Sequence, residues 1–175
     1  MNDRRPRYQS FFQWGLGAAT GGLLIGLLAH QTIQQTNQRH LLTELADSHM
    51  RSLAGNHLVD TDSTNPPVVQ QWFKSKVPFA PPVPDLSTAG YAFLGGRMDY
   101  VTGQGAAALV YTFDKHEVSV FIAPASGEIQ QAIAPERGYR IASWSTANLS
   151  FYAVSDIAEH DLRDFVSAFQ AKSNP

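Results

Sequence analysis

The chain has 175 residues, a formal net charge of −2 and no cysteine. Without cysteine it has no disulfide, no zinc–thiolate site and no thiol nucleophile. Nucleic-acid binding requires a basic surface that this charge balance does not provide, so we expect no nucleic-acid partner.

An apolar segment without charged side chains occupies residues 11–29. At about 1.5 Å per helical residue it spans roughly 28 Å, close to the hydrocarbon thickness of a bilayer. Three arginines precede it, and the next basic residue is Arg39. The positive-inside rule therefore predicts a single-pass protein of the bacterial inner membrane, with residues 1–10 as a cytoplasmic tail that touches membrane lipid and a periplasmic soluble domain. A cleaved secretory signal is the alternative.

One face of the predicted transmembrane helix carries small residues. Gly15, Ala19, Gly22 and Gly26 follow one another at spacings of four and three positions. Small side chains let a second helix approach closely, which favours a homodimer or a membrane-protein partner. The alternative is that glycine and alanine are simply common in membrane helices.

Residues 30–55 are predicted to form a juxtamembrane helix, because apolar residues recur there at roughly helical spacing up to Gly55. An unbroken helix from residue 11 to residue 54 would be about 66 Å long. A break in the Gln-rich stretch is the alternative. The remaining residues, 56–175, are enough for one periplasmic domain with one core.

The first part of that domain is rich in proline. Residues 56–67 are predicted to form a loop and residues 68–76 a short helix that the Pro66–Pro67 pair starts. Residues 79–85 hold three prolines and should be extended. This proline strip is either a cover over the core or a docking strip for a partner.

Short strands are predicted from Tyr91 onward, with one more helix from Asp156 to about Lys172. Links of two to four residues join most of the strands and make neighbours antiparallel. Residues 124–138 form a longer connection. The predicted fold class is α+β, with an antiparallel sheet and helices packed on one face. The predicted strands are residues 92–94, 97–101, 106–113, 118–123, 141–145 and 151–155.

Four neighbouring residues are the candidate interaction site of the soluble domain. Gly95 and Gly96 permit a β-bulge or a close backbone approach, and the charged residues Arg97 and Asp99 follow on one strand face. A hairpin turn with a surface ion pair is the alternative.

The sequence offers little for catalysis or metal binding. His49, His57 and Asp60 are the one set of residues of metal-ligating type that could meet at one site, near the end of the predicted helix. His116 lies in a charged turn, and Ser126 lacks the surroundings of a nucleophile elbow. We therefore expect no enzymatic activity, no metal and no cofactor.

Four runs of sequence resemble the extracytoplasmic domain of bacterial transmembrane anti-sigma factors: WFKSKVPFAPPVPDL, GGRMDYV, AALVYTFDKHEVSVFIAP and GYRIASWSTANLSFYAVSDI. The resemblance covers roughly residues 49–169. It implies an inner-membrane regulator of transcription whose outer domain receives a signal. In that family a cytoplasmic helical domain, often binding zinc through a His and two Cys, holds a sigma factor inactive.

This chain departs from the family at its amino terminus. Residues 1–10 contain no Cys or His and are too few for a sigma-binding helical domain, so sigma-factor binding stays open. We expect a membrane-anchored regulatory or sensor protein that acts by protein–protein contact from the periplasmic side. The alternative is a periplasmic small-ligand or metal-binding protein retained by its anchor, which predicts an apolar pocket with convergent polar groups.

Overall fold

The computed structural model describes residues 11–55 and 57–173, with side chains from residue 32 onward. Helix α1 is Phe11–Ala54. The chain divides after His40 into two compact units, which are considered separately. The predicted membrane span, residues 11–29, lies outside the residues whose side chains are described. Within residues 32–55 and 57–173, no helix is long and apolar enough to cross a membrane.

The second unit is built on one antiparallel sheet of six strands, in the order β1-β2-β3-β6-β5-β4. This sheet with its helices confirms the α+β class. The elements that follow α1 are α2 (Pro66–Phe73), a 3₁₀ turn (Ser87–Ala89), β1 (Ala92–Val101), β2 (Gln104–Phe113), β3 (His116–Pro124), β4 (Ala132–Glu136), β5 (Tyr139–Ser145), β6 (Leu149–Ser155) and α3 (Glu159–Ser173).

Helices α2 and α3 contribute to the core on one face of the sheet. Phe165 and Phe169 of α3 are fully buried there. Phe169 meets the stacked pair of Trp144 and Phe151 at ring-centroid distances of 5.8 and 6.0 Å. These aromatic contacts make this face the main hydrophobic core, since each buried ring removes a large apolar area from water.

The other face of the sheet is covered by residues 41–54, the last part of α1, which we call the docked segment. Leu45 and Ala46 are buried there in one cluster with Phe121 and Tyr152. The prediction of helices on one face only is therefore wrong. Strands β2, β3 and β6 are apolar at both odd and even positions, and a strand of that kind needs cover on both faces.

The proline strip covers the core. Pro81 and Pro84 are buried. The hydroxyl of Tyr111 donates to the carbonyl of Pro84 at 2.9 Å, and Gln70 Nε2 donates to the carbonyl of Pro81 at 3.3 Å. Of the two interpretations of the proline strip, this arrangement supports a cover over the core rather than a docking strip for a partner, because the protein's own side chains bind the strip.

Apart from strand ends that shift by one or two residues, the strands differ from the prediction in two ways. Strand β1 is continuous through Gly95 and Gly96, with an irregularity in register between Phe93 and Gly95. Strand β4 lies inside the predicted long connection and pairs with β5 across a two-residue turn at Arg137 and Gly138, both at positive φ. Positive φ at both central residues is typical of the two-residue hairpin turns whose twist matches that of the flanking strands.

Candidate functional site

A buried polar cluster lies between the docked segment and the sheet. It consists of Ser48 and His49 of α1, Arg97 and Asp99 of β1, and Ser119 of β3. Four of these side chains belong to residues at most 5% exposed, and Asp99 is half-buried. Buried polar groups cost free energy unless they are paired, so their pairing determines how the docked segment is held.

Arg97 is the cation of the polar cluster. Its Nε donates to Asp99 Oδ2 at 3.1 Å, and its Nη1 donates to the carbonyl of Leu58 at 3.1 Å. The guanidinium also lies 5.4 Å from the ring centroid of Phe121. Burial lowers the pKa of Arg97, while the Asp99 carboxylate opposes that change. Arg97 thus ties β1 to the segment that follows α1.

Asp99 is the anion that faces Arg97, and it also reaches the helix. Ser48 Oγ donates to Asp99 Oδ2 at 2.6 Å, and the backbone N–H of Tyr100 donates to Asp99 Oδ1 at 2.9 Å. One carboxylate therefore joins the docked segment to the guanidinium. Removing either charge would leave its partner unpaired in a mostly desolvated position.

His49 of the polar cluster is 1% exposed. Its Nδ1 is 2.9 Å from Ser119 Oγ, and its ring meets Tyr139 edge-on at a centroid distance of 5.0 Å. Burial lowers the pKa of His49 to about 4, with Arg97 contributing in the same direction and Asp156 opposing it. The imidazole is therefore neutral at pH 7. Because Ser119 is also fully buried, this Ser–His pair is closed to a substrate in this structure.

Three further contacts hold the docked segment at both edges of the sheet. At the β1 edge, the carboxylate of Glu44 accepts from the backbone N–H of Thr102 at 3.2 Å. At the β4 edge, Thr43 Oγ1 donates to Glu136 at 3.1 Å and Arg137 pairs with Asp47 at 2.6 Å.

Gly95 and Gly96 permit a close backbone approach, as one of the two interpretations predicted. Gly95 has φ +145°, and a Cβ there would collide with the carbonyl oxygen of Thr61. A Cβ on Gly96 would lie 2.7 Å from the ring of Phe73. The backbone N–H groups of Asp60 and Thr61 donate to the Gly96 carbonyl at 2.9 and 3.0 Å. The alternative of a hairpin turn at these glycines is wrong.

The outward edge of β1 is occupied by the protein's own groups. The N–H of Met98 donates to Asp60 Oδ2 at 2.8 Å, and Thr61 forms a bridge with Gly96. A free strand edge is a template for pairing with another chain, and these contacts occupy that template at Gly96 and Met98. The predicted interaction residues of β1 therefore bind other parts of the same chain.

The remaining candidates fall into two groups. Gly15, Ala19, Gly22 and Gly26 lie in α1, but their surroundings are outside the residues whose side chains are described. Of the histidines considered for a metal, His57 contacts Asp60 at 2.7 Å, whereas His49 turns to Ser119. Among the described side chains, no group of three or more His, Asp or Glu residues is placed to hold a metal ion.

One cleft among the described residues has a volume of about 460 Å³ and lies beside the turn between β5 and β6. Its lining is small and polar, with Glu128 as its one charged residue. It thus lacks the apolar walls and convergent polar groups that the ligand-binding alternative predicts.

Sequence reasoning missed Ser48 and Ser119, which help to complete the cluster, and considered His49 only as a metal ligand. The sequence does contain a pattern that points to these residues. Ser48, His49 and Ser52 lie three, four and seven residues after Leu45 and therefore interrupt the apolar stripe of α1. Ser119 likewise interrupts the apolar run of β3. Polar residues at buried positions on two elements predict that the elements meet there.

No family model matches this chain, and no curated protein or solved structure matches it either.

Proposed function

We propose that this chain is a membrane-anchored regulatory protein of the anti-sigma factor type, acting by protein–protein contact from the periplasmic side of the bacterial inner membrane. The apolar length of residues 11–29 and the arginines before it support the anchor. The four runs of the resemblance support the regulatory role, since they extend from α2 to β6 and include the interior strands of the sheet.

The observation that carries the proposal is the attachment of α1 to the sheet. This helix begins with the apolar segment, and its residues 41–54 dock on the sheet. Five of its side chains between positions 43 and 49 bind partners in the sheet or its turns. A signal that alters the sheet would act first on the contact that holds residues 41–54 of α1.

The proposed partner contact lies on the small-residue face of the anchor and joins it to a second copy or to another membrane protein. The test compares the native chain with a Gly22→Ile, Gly26→Ile variant, in which branched side chains block close approach. A Leu24→Ile, Leu28→Ile variant is the matched control, because at 100° per residue these positions lie on the opposite helix face.

Each chain is purified from its own host in mild detergent after brief cross-linking, and the bound proteins are quantified. We expect the native and control chains to recover one membrane protein, or a second copy, at least tenfold more than the glycine variant. We also expect deletion of the gene and the glycine variant to change transcription of the same genes. Equal recovery from all three chains, or unchanged transcription on deletion, would contradict the proposal.

A further inference from the structure

The apolar cluster between the docked segment and the sheet is smaller than the core on the other face of the sheet. The docked segment contributes only Leu45 and Ala46 as buried apolar side chains, in one cluster with Phe121, Ile141, Tyr152 and several small residues of the strands. The core on the other face instead contains Phe165, Phe169, Trp144 and Phe151. Because hydrophobic stabilisation scales with buried apolar area, the docked segment is the more weakly held cover.

The centre of this contact is a neutral imidazole. Ser119 Oγ lies 2.9 Å from His49 Nδ1, and the edge-on ring of Tyr139 closes one side. Polar contacts surround it along the helix, to Asp99 through Ser48 and to Arg137 through Asp47. A charge placed here would be desolvated at the middle of the interface.

The charged and titratable groups around His49 do not provide it with a counterion. Strand β1 presents Arg97, whose charge is taken up by Asp99. Strand β5 presents the Tyr139 ring, and Asp156 after β6 is itself bound to His116 at 2.8 Å. Its own helix contributes Asp47, which pairs with Arg137, and the exposed Arg51.

We propose that residues 41–54 form an acid-released cover, in which protonation of His49 frees the helix from the sheet while the rest of the domain stays folded. Release uncovers an apolar surface of the sheet that includes Phe121, Ile141, Tyr152 and Val154. The proposal stands independently of the membrane anchor and of the anti-sigma resemblance, because all of its contacts lie within the second unit.

The direction of the pH effect follows from linkage. A histidine buried in the neutral form binds its proton more weakly when docked than when released, so docking is fully present above the released-state pKa near 6.5. It is lost as the pH falls toward about 4, the pKa of His49 in the docked state. Between pH 7.5 and pH 5.5, the equilibrium constant for release should rise about tenfold.

The test is amide hydrogen exchange of the full chain in detergent, read as protection factors so that the pH dependence of chemical exchange is removed. We expect the protection of peptides from residues 41–54 to fall about tenfold between pH 7.5 and pH 5.5. Peptides from β6 and α3 should keep their protection. Carboxylates ordinarily titrate near pH 4, so this range isolates histidine.

His49→Gln is the decisive variant, because an amide can still meet Ser119 but cannot be protonated in this range. Its docked segment should show no pH dependence. His160→Gln is the matched control, since that histidine is 76% exposed on α3, which packs on the other face of the sheet, and it should behave as the native chain does.

Three results would overturn the proposal. Two concern the native chain, which needs no substitution: constant protection of residues 41–54 over this pH range, or loss of their protection together with that of β6 and α3. The third is a pH dependence that persists in His49→Gln. Each would show that His49 does not release this helix locally.

Discussion

Arg97 and Asp99 join three separate parts of the chain at one point. The guanidinium binds the carbonyl of Leu58, the carboxylate binds Ser48, and the two charges bind each other on β1. The sequence predicted this pair on one strand face, since alternate residues of a strand point the same way. It did not predict the partners of the pair. Ser48 precedes Asp99 by 51 positions and Leu58 precedes Arg97 by 39, so only the folded topology brings them close.

The charge of Asp99 should matter far more than that of a surface carboxylate. We expect Asp99→Asn to lower the free energy of unfolding by about 3 kcal/mol, because it leaves the buried guanidinium without its counterion. Glu159→Gln is the control. It removes an exposed partner of Arg163 within α3 and should cost less than about 0.5 kcal/mol. Urea unfolding of the full chain in detergent measures both, and equal losses would contradict the role of Asp99.

At the scale of elements, α3 and the interior strands were predictable, since each carries its own periodic apolar pattern. Strand β4 was missed because its sequence, AIAPE, is short and contains Pro135. A proline within a strand is found mainly at the edge of a sheet, and β4 is an edge strand. The second helical cover was missed for another reason. Apolar residues at both parities of β2 and β3 indicate two covered faces, but the segment that covers the second face was predicted as part of a juxtamembrane helix.

Gly96 sets how closely α2 approaches β1. We expect Gly96→Ala to lower the free energy of unfolding by about 1–3 kcal/mol, because its Cβ would meet the fully buried ring of Phe73 at 2.7 Å. Gly127→Ala is the matched control, since no atom lies within 4 Å of a Cβ there, and it should change stability by less than about 0.5 kcal/mol. Thermal unfolding compares the two variants. A neutral Gly96→Ala would mean that α2 does not pack this closely.

At the scale of the whole molecule, the proposed function requires the domain of residues 56–175 to lie outside the inner membrane. An acid-released cover would meet wider changes of pH there, because the pH outside the inner membrane follows the surroundings of the cell more closely than the pH of the cytoplasm does. The apolar segment and the arginines before it support this placement from the sequence.

The most direct test of the account is the sidedness of the full chain in its native membrane. The chain has no cysteine, so a single one at Thr64, an exposed loop position, reports alone. Spheroplasts are treated with a membrane-impermeant maleimide. We predict that Thr64→Cys is labelled without permeabilisation, that Ser10→Cys is labelled only after it, and that both chains sediment with membranes. Recovery of the uncleaved chain in the soluble cytoplasmic fraction, with Thr64→Cys protected until lysis, would contradict the account.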